Sequence, residues 1–102
     1  MSDAERIADL NDTFRRGGSG FMLTPGIQAL EDAAGLVDRV RKFDTFTDDN
    51  DPYHEHDFGS LDWHGTKVFW KIDYYDQALK YGEDPLSPKC KRVLTIMLAS
   101  EY

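Results

Sequence analysis

A chain of 102 residues, 40% apolar and 13% aromatic, can bury one core but not two, so it is neither disordered nor a multidomain enzyme. No apolar run reaches the roughly 20 residues of a membrane span, the charged start Met1-Ser2-Asp3-Ala4-Glu5-Arg6 lacks an apolar signal region, and the single cysteine, Cys90, cannot form an internal disulfide; these features favour one cytoplasmic domain over residues 1–102. The net charge of −7 lies in one place, because the segment 44–66 holds seven acids and no Lys or Arg while acids and bases balance elsewhere.

Ser2-Asp3-Ala4-Glu5 reads as a capping box. It opens a helix with Ile7, Leu10 and Phe14 at helical spacing, and Gly17-Gly18 ends it. Phe21 to Thr24 is a short apolar run with strand character, and Thr24-Pro25 suits the start of a helical turn through Ile27 and Leu30. Asp32 is placed to cap a second main helix with an apolar stripe of Leu36, Val37, Val40 and Phe43. Arg39, Arg41 and Lys42 fall in its last turn, where cations suit the helix dipole.

Residues 46–59 form a polar connection, and a hairpin follows. Phe58–Trp63 and Lys67–Tyr75 flank the turn His64-Gly65. Val68, Trp70, Ile72 and Tyr74 alternate with Phe69, Lys71, Asp73 and Tyr75, and aromatics on both faces predict a central strand. Asp76–Tyr81 reads as one helical turn closed by Gly82. Arg92–Leu98 is rich in β-branched residues and reads as a final strand, with helix as the competing assignment. The order of elements predicts an α+β fold, a mostly antiparallel sheet of about four strands with two main helices on one face.

The loop 48–59 concentrates chemistry. Asp48, Asp49, Asn50, Asp51, Tyr53, His54, Glu55, His56 and Asp57 put nine ligating or proton-carrying side chains into twelve positions. Three readings compete. His54 and His56 are two apart and would point the same way in extended backbone; with Asp57 they are the ligand set if a divalent metal binds, although the zincin pattern is absent and the calcium-loop glycine position holds Tyr53. His56 can also serve as a general acid–base, oriented by Glu55, Asp57 or, from the central strand, Asp73. No nucleophile motif accompanies it; Cys90 between Lys89 and Lys91 sits where a thiol pKa can fall, but an ordinary cysteine near a strand start is the leading reading.

The third reading is recognition. Asp48, Asp49, Asn50, Asp51, Glu55 and Asp57 then shape the loop and present acids to a basic protein, such as a nucleic-acid-binding bacterial protein. Such a surface repels nucleic acid and membrane phosphates, so neither is expected as a direct partner. The aromatic strand 69–75 could stack bases, but the acidic field opposes this and core packing accounts for it. Phosphate-loop and dinucleotide motifs are absent. The recognition reading, without cofactor or catalysis, is the leading expectation; a small hydrolase or transferase built on His56, with or without metal, is the alternative.

Asn50-Asp51-Pro52, Glu55-His56-Asp57-Phe58-Gly59, Trp70-Lys71-Ile72-Asp73-Tyr74-Tyr75-Asp76 and Arg92–Leu98 through Glu101-Tyr102 together resemble a bacterial, mainly alphaproteobacterial, family known as domain of unknown function 3768. Leu10-Asn11-Asp12-x-Phe14-Arg15 and Thr24-Pro25-Gly26 add to the likeness. The resemblance implies chromosomal, plasmid and phage-like contexts and supplies no activity. Acidic inhibitors of restriction or CRISPR machinery are an analogy of context and charge.

Overall fold

The structure, a computed structural model, describes residues 1–102. Ser2 Oγ accepts from Glu5 N at 3.1 Å and Glu5 Oε1 accepts from Ser2 N at 3.5 Å, so the capping box starts helix α1, Asp3–Gly17. Strand β1, Met22–Leu23, is two residues long. The single-turn helix α2, Pro25–Gln28, follows with proline in its first turn. The Gly26 N–H in its first turn and the Thr24 hydroxyl before it are both satisfied by Glu101. Glu101 accepts from Gly26 N at 3.2 Å and from Thr24 Oγ1 at 2.7 Å. These donors, Thr24 first, hold the Glu101 carboxyl below its ordinary range.

Helix α3, Ala33–Arg41, begins at Asp32, which adopts the left-handed conformation (φ 57°) and accepts from Gly35 N at 3.1 Å. Three antiparallel strands complete the fold: β2, Phe58–Trp63; β3, Thr66–Tyr75; and β4, Lys91–Leu98. The β2–β3 turn places His64 (φ 52°) and Gly65 (φ 86°) both at positive φ, the conformation that matches the twist of a two-residue hairpin. Pairing of β4 with β3 from Tyr75↔Lys91 to Val68↔Leu98 settles 91–98 as strand rather than helix. The order is β1-β4-β3-β2, with β1 parallel to β4, so the four-stranded sheet is mixed and β3 is central. Residues 76–81 form a turn rather than a helix, because Asp76 Oδ1 accepts from Lys80 N and Leu79 takes a left-handed conformation.

Alternation divides the sheet. Leu61, Val68, Trp70, Ile72, Leu94 and Ile96 share one face and pack with Ile27, Leu36, Val40 and Phe43 from the helical side. On the other face Tyr102 meets Phe69 at 5.5 Å and Phe58 at 6.1 Å edge-on. Helix α1 is turned relative to its apolar pattern. It buries Ile7, Ala8, Asn11 and Arg15, while Leu10 stays 45% exposed. The reason is polar: Asn11 and Arg15 find their hydrogen-bond partners only on the inward side.

Trp70 is fully buried at the centre and lies opposite Gly59 in the β2–β3 register. A Cβ at position 59 would collide with the indole of Trp70. Gly59→Ala is therefore expected to destabilise the fold by about 1–3 kcal/mol, the usual cost of overpacking, read as a lower midpoint of chemical denaturation.

Candidate functional site: the anchored acidic loop

The connection from α3 to β2 is built by its own side chains. Thr47 N donates to Asn50 Oδ1 at 2.9 Å, Asn50 N donates to Thr47 Oγ1 at 3.3 Å, and Asn50 Nδ2 reaches Thr45 O at 3.0 Å. Asp51 N donates to Thr47 O at 2.8 Å, and His54 N to Asp51 O at 3.0 Å. The Asp51 carboxylate, in a residue only 4% exposed, accepts from Glu55 N at 3.1 Å and His56 N at 3.3 Å. Those bonds hold the backbone through two left-handed residues, His54 (φ 58°) and His56 (φ 56°). Such conformations cost on the order of 1–3 kcal/mol each and persist only where the surroundings over-determine them.

This backbone separates the two histidines. They are not in extended conformation and do not point together. The His54 side chain is 64% exposed, with Nε2 3.6 Å from Asp48. The His56 ring turns inward and stacks flat on Phe46 at 3.9 Å. Its Nδ1 lies 3.0 Å from Asp12 Oδ1, and its Nε2 faces Asp51 Oδ2 at 3.6 Å. The orienting acid is therefore Asp12 of α1. Asp73, proposed from sequence, pairs instead with Lys71 at 3.0 Å. The alternation of β3 puts it on the face away from Trp70 and Tyr74.

Asp12 serves two partners, His56 and Arg15. Arg15, fully buried, donates from Nη1 to Asp12 Oδ1 at 3.0 Å and from Nη2 to Phe43 O at 2.8 Å. Its guanidinium also lies 5.2 Å from the Trp70 ring and 5.4 Å from Phe46.

Beside this group Asn11, also fully buried, links three segments. Its Nδ2 donates to Glu55 O at 2.9 Å and to Tyr74 Oη at 2.8 Å, and its Oδ1 accepts from Arg92 Nε at 2.7 Å. Tyr74 in turn donates to Asp57 Oδ2 at 3.3 Å. Burial pushes the Tyr74 phenol well above its ordinary value. Burial also raises Asp57, against the Tyr74 hydrogen bond and with help from Asp51. Glu55 rises through burial and the nearby charges of Asp57 and Asp51.

The six acids and amides read from sequence as a binding surface thus divide. Asn50 and Asp51 are internal braces of the loop, Asp57 is half-buried against Tyr74, and Glu55 is partly covered. Asp48, 92% exposed at its side chain, and Asp49 point out, beside Tyr53 at 77% exposure. His54, His56 and Asp57 face Asp48, Asp12 with Asp51, and Tyr74 respectively, so they do not form one ligand set; no group of three His, Cys, Asp or Glu converges in the chain in a way that could hold a metal. Cys90 fits the ordinary reading over the reactive one: burial raises its thiol, which favours the protonated form over a thiolate.

The model of the family described as "Protein of unknown function (DUF3768)" matches residues 23–101. The chain belongs to that family. No curated protein and no solved structure matches it. The matched span contains the loop, Tyr74 and Arg92, while Asn11, Asp12 and Arg15 lie on the segment before it. Those three α1 residues were missed as site residues, although a signal was present. Positions 7, 11 and 15 follow helical spacing, so polar side chains occupy the stripe that Ile7 begins.

Two outcomes test this anchoring within the DUF3768 chain. Asn11→Ala strands buried partners that each cost about 1–3 kcal/mol when left unpaired; the melting temperature should fall and amide exchange should rise at 54–57. Asp57→Asn should stabilise at neutral pH. A carboxyl raised on folding contributes fully below its unfolded value of 3.8 and loses that contribution as pH rises through the folded value. Denaturation midpoints of variant and parent should therefore diverge at pH 7 and converge below pH 3.8.

Proposed function

We propose that this protein is a non-enzymatic binding module whose acidic loop tip engages a basic protein partner. The observation that carries the reading is the preorganised presentation of the tip. Asp48, Asp49, Pro52, Tyr53 and His54 stand exposed on a backbone braced by Asn50 and Asp51 and anchored by Asp12 and Asn11. Ordering a loop before contact removes part of the entropic cost of association. An exposed tyrosine among acids combines an apolar anchor with charge steering.

Placing two forward carboxylates on a rigid tip suits the basic groove of a nucleic-acid-binding protein, where they would stand in for phosphates. An inhibitor of such a protein, of the anti-restriction or anti-CRISPR kind, is the finer form of the proposal. The acid–base alternative on His56 has weaker support. Its ring nitrogens face Asp12 and Asp51, and the two surface cavities are lined by other residues.

Immobilised parent protein should retain a basic bacterial protein that is released by salt. An Asp48→Lys, Asp49→Lys, Tyr53→Ala variant of equal thermal stability should lose it. Retention of every partner by that variant would refute the proposal.

A further inference from the structure

Away from the loop, two surface cavities of about 520 and 470 Å³ adjoin, sharing Ser19, Lys91 and Arg92. The larger is also lined by Met22, Tyr75 and Leu79. Arg92 is partly buried and held in one orientation. Its Nε donates to Asn11, its Nη2 donates to Pro85 O at 2.7 Å, and its guanidinium lies 5.3 Å from the Tyr74 ring. Yet it has no carboxylate partner. Every ion pair in the chain involves other residues, and Nη1 makes no internal hydrogen bond.

A fixed, partly desolvated guanidinium without a counter-ion favours an external anion. Lys91, next to it on β4 and also unpaired, lines the same walls. The rim is apolar and wet: Met22 is 57% exposed and Leu79 48%. A charged end with an apolar wall, within the usual volume range of small-molecule sites, defines a ligand class.

We propose that these cavities bind a small organic anion, its charged group on Arg92 and Lys91 and its apolar body against Met22, Leu79 and Tyr75. The chain's net charge of −7 opposes anions at long range, but screening over about 8 Å at physiological salt leaves the local cations in control. Glu83 and Asp84, the acids nearest Cys90 on the preceding loop, line neither cavity.

Amide NMR titration with benzoate and with phenyl phosphate, with benzyl alcohol as the neutral control, tests this. Expected are saturable millimolar shifts confined to 19–22, 75–79 and 90–93 with at least one of the two anions and none with the alcohol. Preference between the anions then identifies the head group. Lys91→Met and Met22→Asp, both at exposed side chains, should each weaken binding about tenfold, and Asp48→Lys with Asp49→Lys should leave it intact. Arg92→Met, which also releases Asn11, is read only where its spectrum stays folded. Absence of saturation with both anions, equal shifts from benzyl alcohol, or unchanged affinity in both Lys91→Met and Met22→Asp would overturn the site.

Discussion

The architecture turns on one buried cation. Arg15 is fully inaccessible, and a guanidinium does not shed its proton, so its charge must be compensated inside the protein. Asp12, one turn earlier on the same helix, supplies the counter-charge, and the Phe43 carbonyl supplies a second acceptor. Both demands rotate α1 until its polar residues face inward. A carboxylate committed to Arg15 still has lone pairs to fill, and His56 fills them. Phe46, stacked on His56 and lying under Arg15, closes the group from the loop side. The position of the whole α3–β2 connection follows from neutralising this one side chain.

The same network explains why a polar segment without regular structure can hold a fixed shape. Its backbone groups are satisfied by Asn50, Asp51 and Asn11 rather than by a ladder. Asn11 joins the loop to β3 through Tyr74 and to β4 through Arg92, so the loop and the cavity-lining arginine share an anchor. Burial in this cluster raises Tyr74, Asp57 and Glu55 above their ordinary values.

Charge is thereby segregated. Acids that the loop does not use internally, Asp48 and Asp49, stand at its tip. Lys91 and Arg92, neither in an ion pair, lie beside the cavities at the start of β4. The two surfaces are unlike in charge, and the proposed basic protein partner and the proposed organic anion fall on different ones, with Asn11 as the physical link between them.

Local chemistry determined much of this in advance. The capping box at Ser2-Glu5, the Asp32 cap, the His64-Gly65 turn and the alternation of β3 act over a few residues, and each was legible because its energetics is local. The acidic concentration of 44–66 was legible by counting. Tertiary structure decided what depended on distant partners. Residues 91–98 became strand because β3 offered a ladder, and β1 joined in parallel at only two positions. The pairing of Asp12 with His56 spans 44 residues, and that of Asn11 with Arg92 spans 81. No periodicity announces such contacts, because a buried polar group takes whichever partner the packed chain brings within reach.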